Sequence, residues 1–241
     1  MTSGDIYFGD CLEDMKLLPA NSIDMILCDL PYGTTACKWD SIIPLEELWS
    51  AYQRICKGAI ALTASQPFTS RLVNSNIKNF KYEWIWKKNA GSNFALTKYQ
   101  PMKEHESILI FAYKKFKYFP IKQPRVRPIK AGYVNMSNTG KRDVMGGFEN
   151  KGFTVTDGEM RVPSSVQSFN RERGLHPTQK PVALFEYLIK TYTNEGDTVL
   201  DNCAGSGTTG IACVNTNRKY ILMEKEQKYI DIIQKRLGII I

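Results

Sequence analysis

Two short stretches of this 241-residue sequence combine residue types that suit chemistry. The first, Asp29-Leu-Pro-Tyr-Gly33, follows residues 23–28, an apolar run that is too short for a helix and is typical of a buried strand. As a turn it needs no function, because Asp accepts backbone hydrogen bonds, Pro fixes φ and Gly permits a bend. It nevertheless places a carboxylate and an aromatic ring together at the end of a strand.

The second stretch is a glycine-rich turn, Val199-Leu-Asp-Asn-Cys-Ala-Gly-Ser-Gly-Thr-Thr-Gly210. Its glycines let the backbone approach a ligand where a Cβ would clash. A triphosphate-binding loop needs Lys and then Ser or Thr at this point, but Ile211 and Ala212 follow Gly210. The sequence therefore excludes a nucleotide triphosphatase and predicts a turn that holds another small ligand.

An acidic residue, Glu224, stands nineteen positions beyond Gly205, at the end of the next predicted strand. By itself such a residue is an ordinary exposed acid. Together with the glycine-rich turn it favours a nucleoside-containing cofactor, because a carboxylate at this position accepts hydrogen bonds from ribose hydroxyls.

Alternating strands and helices position both stretches. The predicted strands are 6–8, 23–28, 59–64, 82–86, 107–113, 198–200 and 220–223, and the predicted helices are 12–18, 45–56, 67–75, 181–191, 208–214 and 227–237. This alternation is typical of an α/β fold with a doubly wound sheet. Strands 82–86 and 107–113 have no clear helix between them, which is compatible with an antiparallel end to the sheet.

The composition, 43% hydrophobic and 23% charged residues, is that of a soluble globular protein. No apolar run approaches the ~18 residues of a membrane span, and no secretory signal precedes the first strand, so we expect a cytoplasmic protein without membrane partners. His105 and His176 are far apart, and the six cysteines form no C-x-x-C pair. We therefore expect no metal site and reduced thiols.

Positive charge is concentrated in the middle of the chain. Residues 114–175 contain thirteen Lys and Arg against five acids, an excess that equals the net charge of +8 for the whole chain. Aromatic residues lie among the basic ones. Such a segment suits binding to a phosphate backbone, although a solvated basic surface or a mobile loop has the same composition. The residues that we predict to contact such a backbone are Lys122, Arg125, Arg127, Lys130, Lys141 and Arg142.

Four segments together resemble one family. Asp29-Leu-Pro-Tyr32 is similar to the D-P-P-Y catalytic motif of amino-group DNA methyltransferases, and the segment from Asp201 to Thr209 is similar to their D-P-F-x-G-S-G-T cofactor motif. His176-Pro-Thr-Gln-Lys-Pro181 matches their H-P-T-Q-K-P motif, and Gly9-Asp-Cys-Leu12 resembles the segment that opens family members. The catalytic motif comes first and the cofactor motif last, which is the permuted order of the beta group.

This resemblance implies a Rossmann-like class I methyltransferase fold with a mixed, doubly wound sheet. Residues 1–113 would form the catalytic part of the core, 114–175 an inserted target-recognition region, and 176–241 the part that binds S-adenosylmethionine. The implied reaction transfers a methyl group to adenine N6 of a flipped-out base in double-stranded DNA and releases S-adenosylhomocysteine. Asp rather than Ser at position 29 favours adenine over cytosine.

The resemblance also implies roles for the catalytic motif. The Asp29 carboxylate and the carbonyl of Leu30 would accept the two hydrogens of the base amine, whose lone pair is otherwise delocalised into the ring. Pro31 would fix the direction of that carbonyl, and Tyr32 would stack on the extruded base. Methyl transfer would then be a direct displacement without a covalent enzyme intermediate.

The resemblance implies a set of cofactor contacts as well. Asp10 and Cys11 would lie near the adenine, and Thr178 and Lys180 near the carboxylate and ribose side. The remaining predicted contacts are Asp201, Cys203, Ala204, Gly205, Ser206, Gly207, Thr208 and Glu224. Three residues depart from the family pattern: Leu30 and Asn202 each replace Pro, and Cys203 replaces Phe.

Several alternatives stay open at this point. The acceptor can be cytosine N4, or the substrate can be RNA or a protein glutamine, since related tetrads serve those reactions. A DNA-binding module with an idle cofactor site is a further reading. A homodimer and a cognate restriction endonuclease are partners compatible with the resemblance.

Overall fold

The computed structural model describes residues 4–33, 41–130, 132–134, 153–155, 157–172, 174 and 179–239. Its helices are α1 (Cys11–Leu17), α2 (Leu45–Ile55), α3 (Phe68–Ser75), α4 (Val182–Tyr192), α5 (Thr208–Asn215) and α6 (Gln227–Leu237), with a 3₁₀ turn at Phe94–Leu96. Its strands are β1 (Gly4–Phe8), β2 (Ile23–Cys28), β3 (Cys56–Ala64), β4 (Phe80–Ser92), β5 (Lys103–Phe111), β6 (Gln123–Pro124), β7 (Gly132–Val134), β8 (Phe153–Val155), β9 (Met160–Arg161), β10 (Val166–Phe169), β11 (Thr198–Asp201) and β12 (Lys219–Glu224).

Eight strands form one mixed sheet in the order β1-β12-β11-β2-β3-β5-β4-β10. Only β5 runs antiparallel to its neighbours. Two strands from the end of the chain, β12 and β11, lie between two strands from its beginning, β1 and β2. The carboxyl ends of these four parallel strands therefore meet at one edge of the sheet, which is where α/β proteins bind ligands.

Helices cover both faces of the sheet, so the predicted doubly wound α/β fold is confirmed. In β2, Met25 and Leu27 pack on the face that carries α4, α5 and α6. Ile26 and Cys28 pack on the other face, with side chains of α1, α2 and α3. Burial on both faces explains why this strand is a continuous apolar run instead of an alternating one.

The hairpin of β4 and β5 is longer than the sequence predicts. The apolar cores of both strands, at 82–86 and 107–111, were expected, and their antiparallel pairing is present. The additional residues, 87–92 and 103–106, contain three lysines and two glutamates. These residues form a two-stranded ribbon that other strands of the sheet flank only in part. Because the ribbon needs no apolar face, its polar sequence does not predict a strand.

The chain divides into two compact units, one of Met1–Phe119 with Ser165–Ile241 and one of Pro120–Ser164. The second unit is thus narrower than the predicted 114–175 insertion. On its C-terminal side the difference arises because β10 is an edge strand of the large sheet, where it pairs in parallel with β4. Short strands of this kind carry little periodicity from which to predict them.

Two small antiparallel pairs, β6 with β9 and β7 with β8, form the unit of Pro120–Ser164. Asp157 stabilises its second half, because one carboxylate oxygen accepts from the backbone amides of Glu159 and Met160. These backbone hydrogen bonds lower the pKa of Asp157. Among the residues that the structure describes, no helix is both long and apolar enough to span a membrane.

Candidate active site

One cavity of about 470 Å³ lies at the carboxyl edge of the sheet. The loops after β1, β2, β11 and β12 contribute residues 9–12, 29–32, 201–206 and 223–226 to its wall. Both chemical stretches identified in the sequence therefore face the same space. Its volume lies in the usual range of ligand pockets, roughly 300–1,000 Å³.

The carboxylate of Asp29 is held by three side chains. Its Oδ2 accepts from the ammonium of Lys180 at 2.5 Å, and its Oδ1 accepts from the hydroxyl of Tyr32 at 2.8 Å. Thr63, from the end of β3, donates a further hydrogen bond to the same Oδ1. The side chain is thus fixed in orientation, although about one fifth of it is exposed to solvent.

Beyond Asp29, a chain of alternating charges extends along the wall of the cavity. Lys180 also contacts Glu106 Oε2 at 3.4 Å, and Glu106 Oε1 pairs with Lys88 at 2.5 Å. Burial alone would raise the pKa of Glu106, but the two ammonium groups outweigh it and hold that pKa below its ordinary value. Burial would lower the pKa of Lys180, but Asp29 and Glu106 raise it, so Lys180 stays charged.

The ring of Tyr32 is packed rather than free. Phe68, at the start of α3, stacks on it with centroids 5.2 Å apart and planes at 22°. The Lys180 ammonium lies 5.8 Å from the ring centroid. Burial, followed by the charge of Asp29, raises the pKa of Tyr32, so its hydroxyl remains a hydrogen-bond donor at neutral pH.

The glycine-rich loop is tied to β12 through Glu224. The carboxylate of Glu224 accepts from the backbone amide of Gly205 at 2.9 Å and from the amides of Lys225 and Glu226 at the same distance. Gly207 adopts φ +78°, and a Cβ there would come within 2.9 Å of Ile233. This position accordingly requires glycine for the turn itself.

Asp201 ends β11 beneath the glycine-rich loop. Its oxygens accept from the backbone amide of Cys203 at 3.1 Å and from the hydroxyl of Thr209. Burial raises the pKa of Asp201 to about 6, although both of these hydrogen bonds act in the opposite direction. An almost fully buried carboxylate with such a pKa is expected to respond strongly to a nearby positive charge.

Asn202 and Cys203, the two departures from the family pattern, make a local network of their own. The buried hydroxyl of Tyr52 donates to Asn202 Oδ1 at 2.5 Å. The amide nitrogen of Asn202 lies 3.6 Å from the sulfur atoms of Cys11 and Cys203. Hydrogen bonding to Cys203 and burial raise the pKa of the Cys11 thiol. Both cysteines are free thiols on the cavity wall.

The structure places most of the predicted contacts around this one cavity. The predicted residues that line it are Asp10, Cys11, Asp29, Leu30, Pro31, Tyr32, Lys180, Asp201, Cys203, Ala204, Gly205, Ser206, Thr208 and Glu224. Gly207 does not line it, and its side of the turn packs against Ile233 instead. Asp10 also caps α1, where its carboxylate accepts from the amide of Leu12. Thr178, together with His176, falls outside the described residues.

Lys180 has partners that the sequence did not predict. It was assigned to the cofactor, whereas its ammonium is bonded to Asp29 and Glu106. Sequence reasoning missed Thr63 and Glu106 in this network. The signal for Thr63 was a polar residue in the apolar run of β3, but the predicted strand gave no reason to relate it to Asp29.

The predicted DNA-binding residues that the structure describes lie in the unit of Pro120–Ser164. Lys122, Arg127 and Lys130 are exposed, and Arg125 is half-buried. Lys141 and Arg142 lie outside the described part of the chain. Whether these residues bind DNA is still a prediction.

Comparison with known proteins agrees with this geometry. Residues 23–235 match the family model described as DNA methylase. The chain is 30% identical to the DNA adenine methyltransferase YhdJ of Escherichia coli K12, over 97% of this chain and 82% of that protein. It is 29% identical to the Type II methyltransferase M.HpaI of Haemophilus parainfluenzae, over 95% of this chain and 72% of that one.

A solved structure has the same fold. The crystal structure of the M1.HpyAVI–SAM complex superposes with a TM-score of 0.64 at 24% identity, and covers 97% of this chain and 98% of that one. The chain thus belongs to the DNA methylase family of amino-group methyltransferases. The protein is a DNA methyltransferase, and the cofactor of its family is S-adenosylmethionine.

The ion pair between Lys180 and Asp29 gives a first prediction. Lys180→Met leaves two carboxylates beside the cavity with one cation fewer, so we expect the free energy of unfolding to fall by about 3 kcal/mol. Urea denaturation measures it. Lys190→Met is the matched control, because Lys190 is half-exposed and its ammonium lies as far as 3.9 Å from the carboxylate of its partner Glu186. The effect of Lys190→Met on the free energy of unfolding should stay within about 0.5 kcal/mol. Equal effects of the two variants would contradict the proposed strength of the pair.

Asp201 gives a prediction about pH. Its pKa is raised from 3.8 to about 6, so the stability it contributes is fully present below pH 3.8 and is lost as the pH rises through about 6. Asp201→Asn has no such titration. We expect the free energy of unfolding of the wild type minus that of the variant to fall across this range in urea denaturation. A difference that is constant with pH would show that the carboxylate is not perturbed.

Proposed function

We propose that the protein methylates the N6 amino group of adenine in double-stranded DNA, with S-adenosylmethionine as the methyl donor. The observation that carries this proposal is the single cavity shared by Asp29–Leu30 and the glycine-rich loop. The relative named as an adenine methyltransferase supports the choice of base. When bound, the donor supplies an electrophilic methyl group on a positively charged sulfur.

The residues around the glycine-rich loop fit a nucleoside that carries an amino acid. Ala204 and Ser206 line the cavity wall, and Glu224 has oxygens at the end of β12. Glu224 Oε1 already accepts two backbone hydrogen bonds, whereas Oε2 accepts one and can accept a further hydrogen bond. Asp201 offers an anionic group at the base of the loop. Oxygen acceptors and a carboxylate are suitable partners for ribose hydroxyls and an amino group.

Asp29 keeps an acceptor position for the substrate. A carboxylate has about four acceptor positions, and Lys180, Tyr32 and Thr63 occupy three of them. The fourth can accept one hydrogen of the base amine, while the Leu30 carbonyl accepts the other. Holding both hydrogens orients the nitrogen lone pair toward the donor side of the cavity. The anionic carboxylate then stabilises the positive charge that develops on the nitrogen.

The basic unit of Pro120–Ser164 is proposed as the region that binds DNA and selects the sequence. Its exposed Lys122, Arg127 and Lys130 suit contacts to phosphates. Relatives named Type II methyltransferases support a restriction-modification setting. A cognate endonuclease, self-association and action in the cytoplasm are accordingly part of the proposal.

The catalytic assignment is tested with Asp29→Ala. We expect transfer of labelled methyl groups to unmethylated bacterial DNA to fall at least about 100-fold, because one acceptor of the amine is lost. S-Adenosylmethionine binding should stay within about tenfold of the wild type. Asp231→Ala on the exposed face of α6 is the matched control and should keep full activity. Undiminished transfer by Asp29→Ala would overturn the assignment.

The same assay identifies the product. Hydrolysis of the methylated DNA to nucleosides should yield N6-methyldeoxyadenosine. N4-methyldeoxycytidine would correct the base, and labelling of RNA or protein in place of DNA would refute the proposed substrate.

The proposed role of the unit of Pro120–Ser164 is tested through the salt dependence of DNA binding. Arg127→Gln should weaken DNA binding and reduce the slope of log affinity against log salt concentration by about 0.9, as expected for one lost phosphate contact. Lys235→Gln, at an exposed position of α6, is the control. If both variants retain the wild-type slope, Arg127 does not contact the DNA backbone.

A further inference from the structure

The ribbon formed by β4 and β5 projects past the catalytic edge of the sheet. β3 ends at Ala64, which pairs with Ser107, so residues 103–106 of β5 continue beyond β3. Four residues in a strand span about 13 Å. On the other side, β10 pairs with β4 only as far as Lys88. The end of the hairpin is therefore a two-stranded ribbon that stands clear of the sheet.

This ribbon extends in the direction of Asp29. β5 is antiparallel to β3, and β3 is parallel to β2, so β5 begins at the edge where β2 ends. Lys88, Ser92 and Glu106 line the same cavity as Asp29. The base of the ribbon is thus part of the wall of the site, and its tip lies just outside it.

The tip, residues 93–102, exposes large apolar side chains. Phe94 is 80% exposed and Tyr99 86%, with Leu96 and Met102 each nearly half exposed. Exposed aromatic rings clustered on one turn are unusual on a surface that has only solvent to face. Nothing in the described part of the chain covers these rings.

The tip is nonetheless an ordered turn. Asn93 adopts φ 66°, and its carbonyl accepts from the amide of Leu96 at 2.9 Å. The carbonyl of Leu96 accepts from the amides of Tyr99 and Gln100. At its base, the Ser92 hydroxyl donates to the carbonyl of Lys103 at 3.1 Å. The backbone turn fixes the positions from which the exposed side chains project, which reduces the entropy cost of binding a partner.

The charge of the ribbon identifies the partner. Residues 87–106 contain Lys87, Lys88, Lys98 and Lys103 and two acids, Glu104 and Glu106, of which Glu106 is paired with Lys88. A positively charged turn with exposed aromatic rings suits nucleic acid, because lysines contact phosphates while rings stack on bases. Once the pair of Lys88 and Glu106 is set aside, Lys87, Lys98 and Lys103 outnumber Glu104, and an apolar protein partner would not require this excess of positive charge.

We propose that this tip binds the DNA duplex next to the target base and that Phe94 and Tyr99 stack in the gap from which the base is extruded. This inference rests on the proposed function, since a base must leave the stack to reach Asp29. Extrusion costs unstacking energy, and apolar side chains inserted at a base step are a known means of compensating it. The tip is a second DNA-contacting surface, separate from the basic unit of Pro120–Ser164.

The test uses Phe94→Ala, Tyr99→Ala and the double variant of the full-length protein. The control is Ile77→Ala: Ile77 is 60% exposed and precedes the opposite end of β4. Affinity and single-turnover methylation are measured on two 30-base-pair duplexes built around the site that the wild type methylates in genomic DNA. One duplex is intact, and the other has an abasic position opposite the target base, where extrusion costs less.

On the intact duplex we expect the double variant to lose about tenfold or more in affinity and rate, while Ile77→Ala stays at the wild-type level. On the abasic duplex the double variant should recover to within about threefold of the wild type. Unchanged melting temperatures would show that the fold is intact, as expected for exposed side chains.

Two results would overturn the proposal. Equal behaviour of the double variant and Ile77→Ala on the intact duplex would show that the tip does not contact DNA. An equal loss on both duplexes would show contact without insertion at the gap. If the wild type methylates no DNA at all, the proposed function itself fails, which is a distinguishable outcome.

Discussion

The contact between the Lys180 ammonium and the Asp29 carboxylate connects two parts of the chain that are 151 residues apart. It requires that α4 pack against β2 and β3, because this packing brings the segment before α4 to the edge where β2 ends. Because both charges are largely removed from solvent, neither is well tolerated alone. Glu106 and Lys88 extend this compensation to the hairpin of β4 and β5. The orientation of the Asp29 carboxylate thus depends on several strands of the sheet.

The sequence predicts the central elements well, and there is a physical reason for this. β2 and β11 are buried on both faces and appear as short continuous apolar runs, while α2 and α6 have clear apolar stripes. The extended ends of β4 and β5 were not predicted, because an exposed ribbon needs no apolar pattern. β10 was missed for a different reason: four residues at a sheet edge carry too little periodicity.

The residues of the candidate site likewise divide into those that the sequence predicts and those that only the fold reveals. Asp29, Tyr32 and the glycine-rich loop were identified because their residue types and spacing follow the requirements of the chemistry. Thr63 and Glu106 were not, because their importance depends on which strands are neighbours in space. Asn202 was predicted only in part. Its departure from Pro was visible, but its partner Tyr52 lies 150 positions away in α2 and only the fold reveals it.

The two chain segments that flank the unit of Pro120–Ser164 are each secured to the large sheet or its helices. Before it, the amide of Phe119 donates to the carbonyl of Thr191, and after it, the carbonyl of Ser165 accepts from the amide of Ile85. Insertions, deletions or exchange of the intervening residues would leave both anchors intact. If this unit selects the target sequence, as proposed above, replacing it would give the enzyme a new target while the residues around Asp29 stay the same.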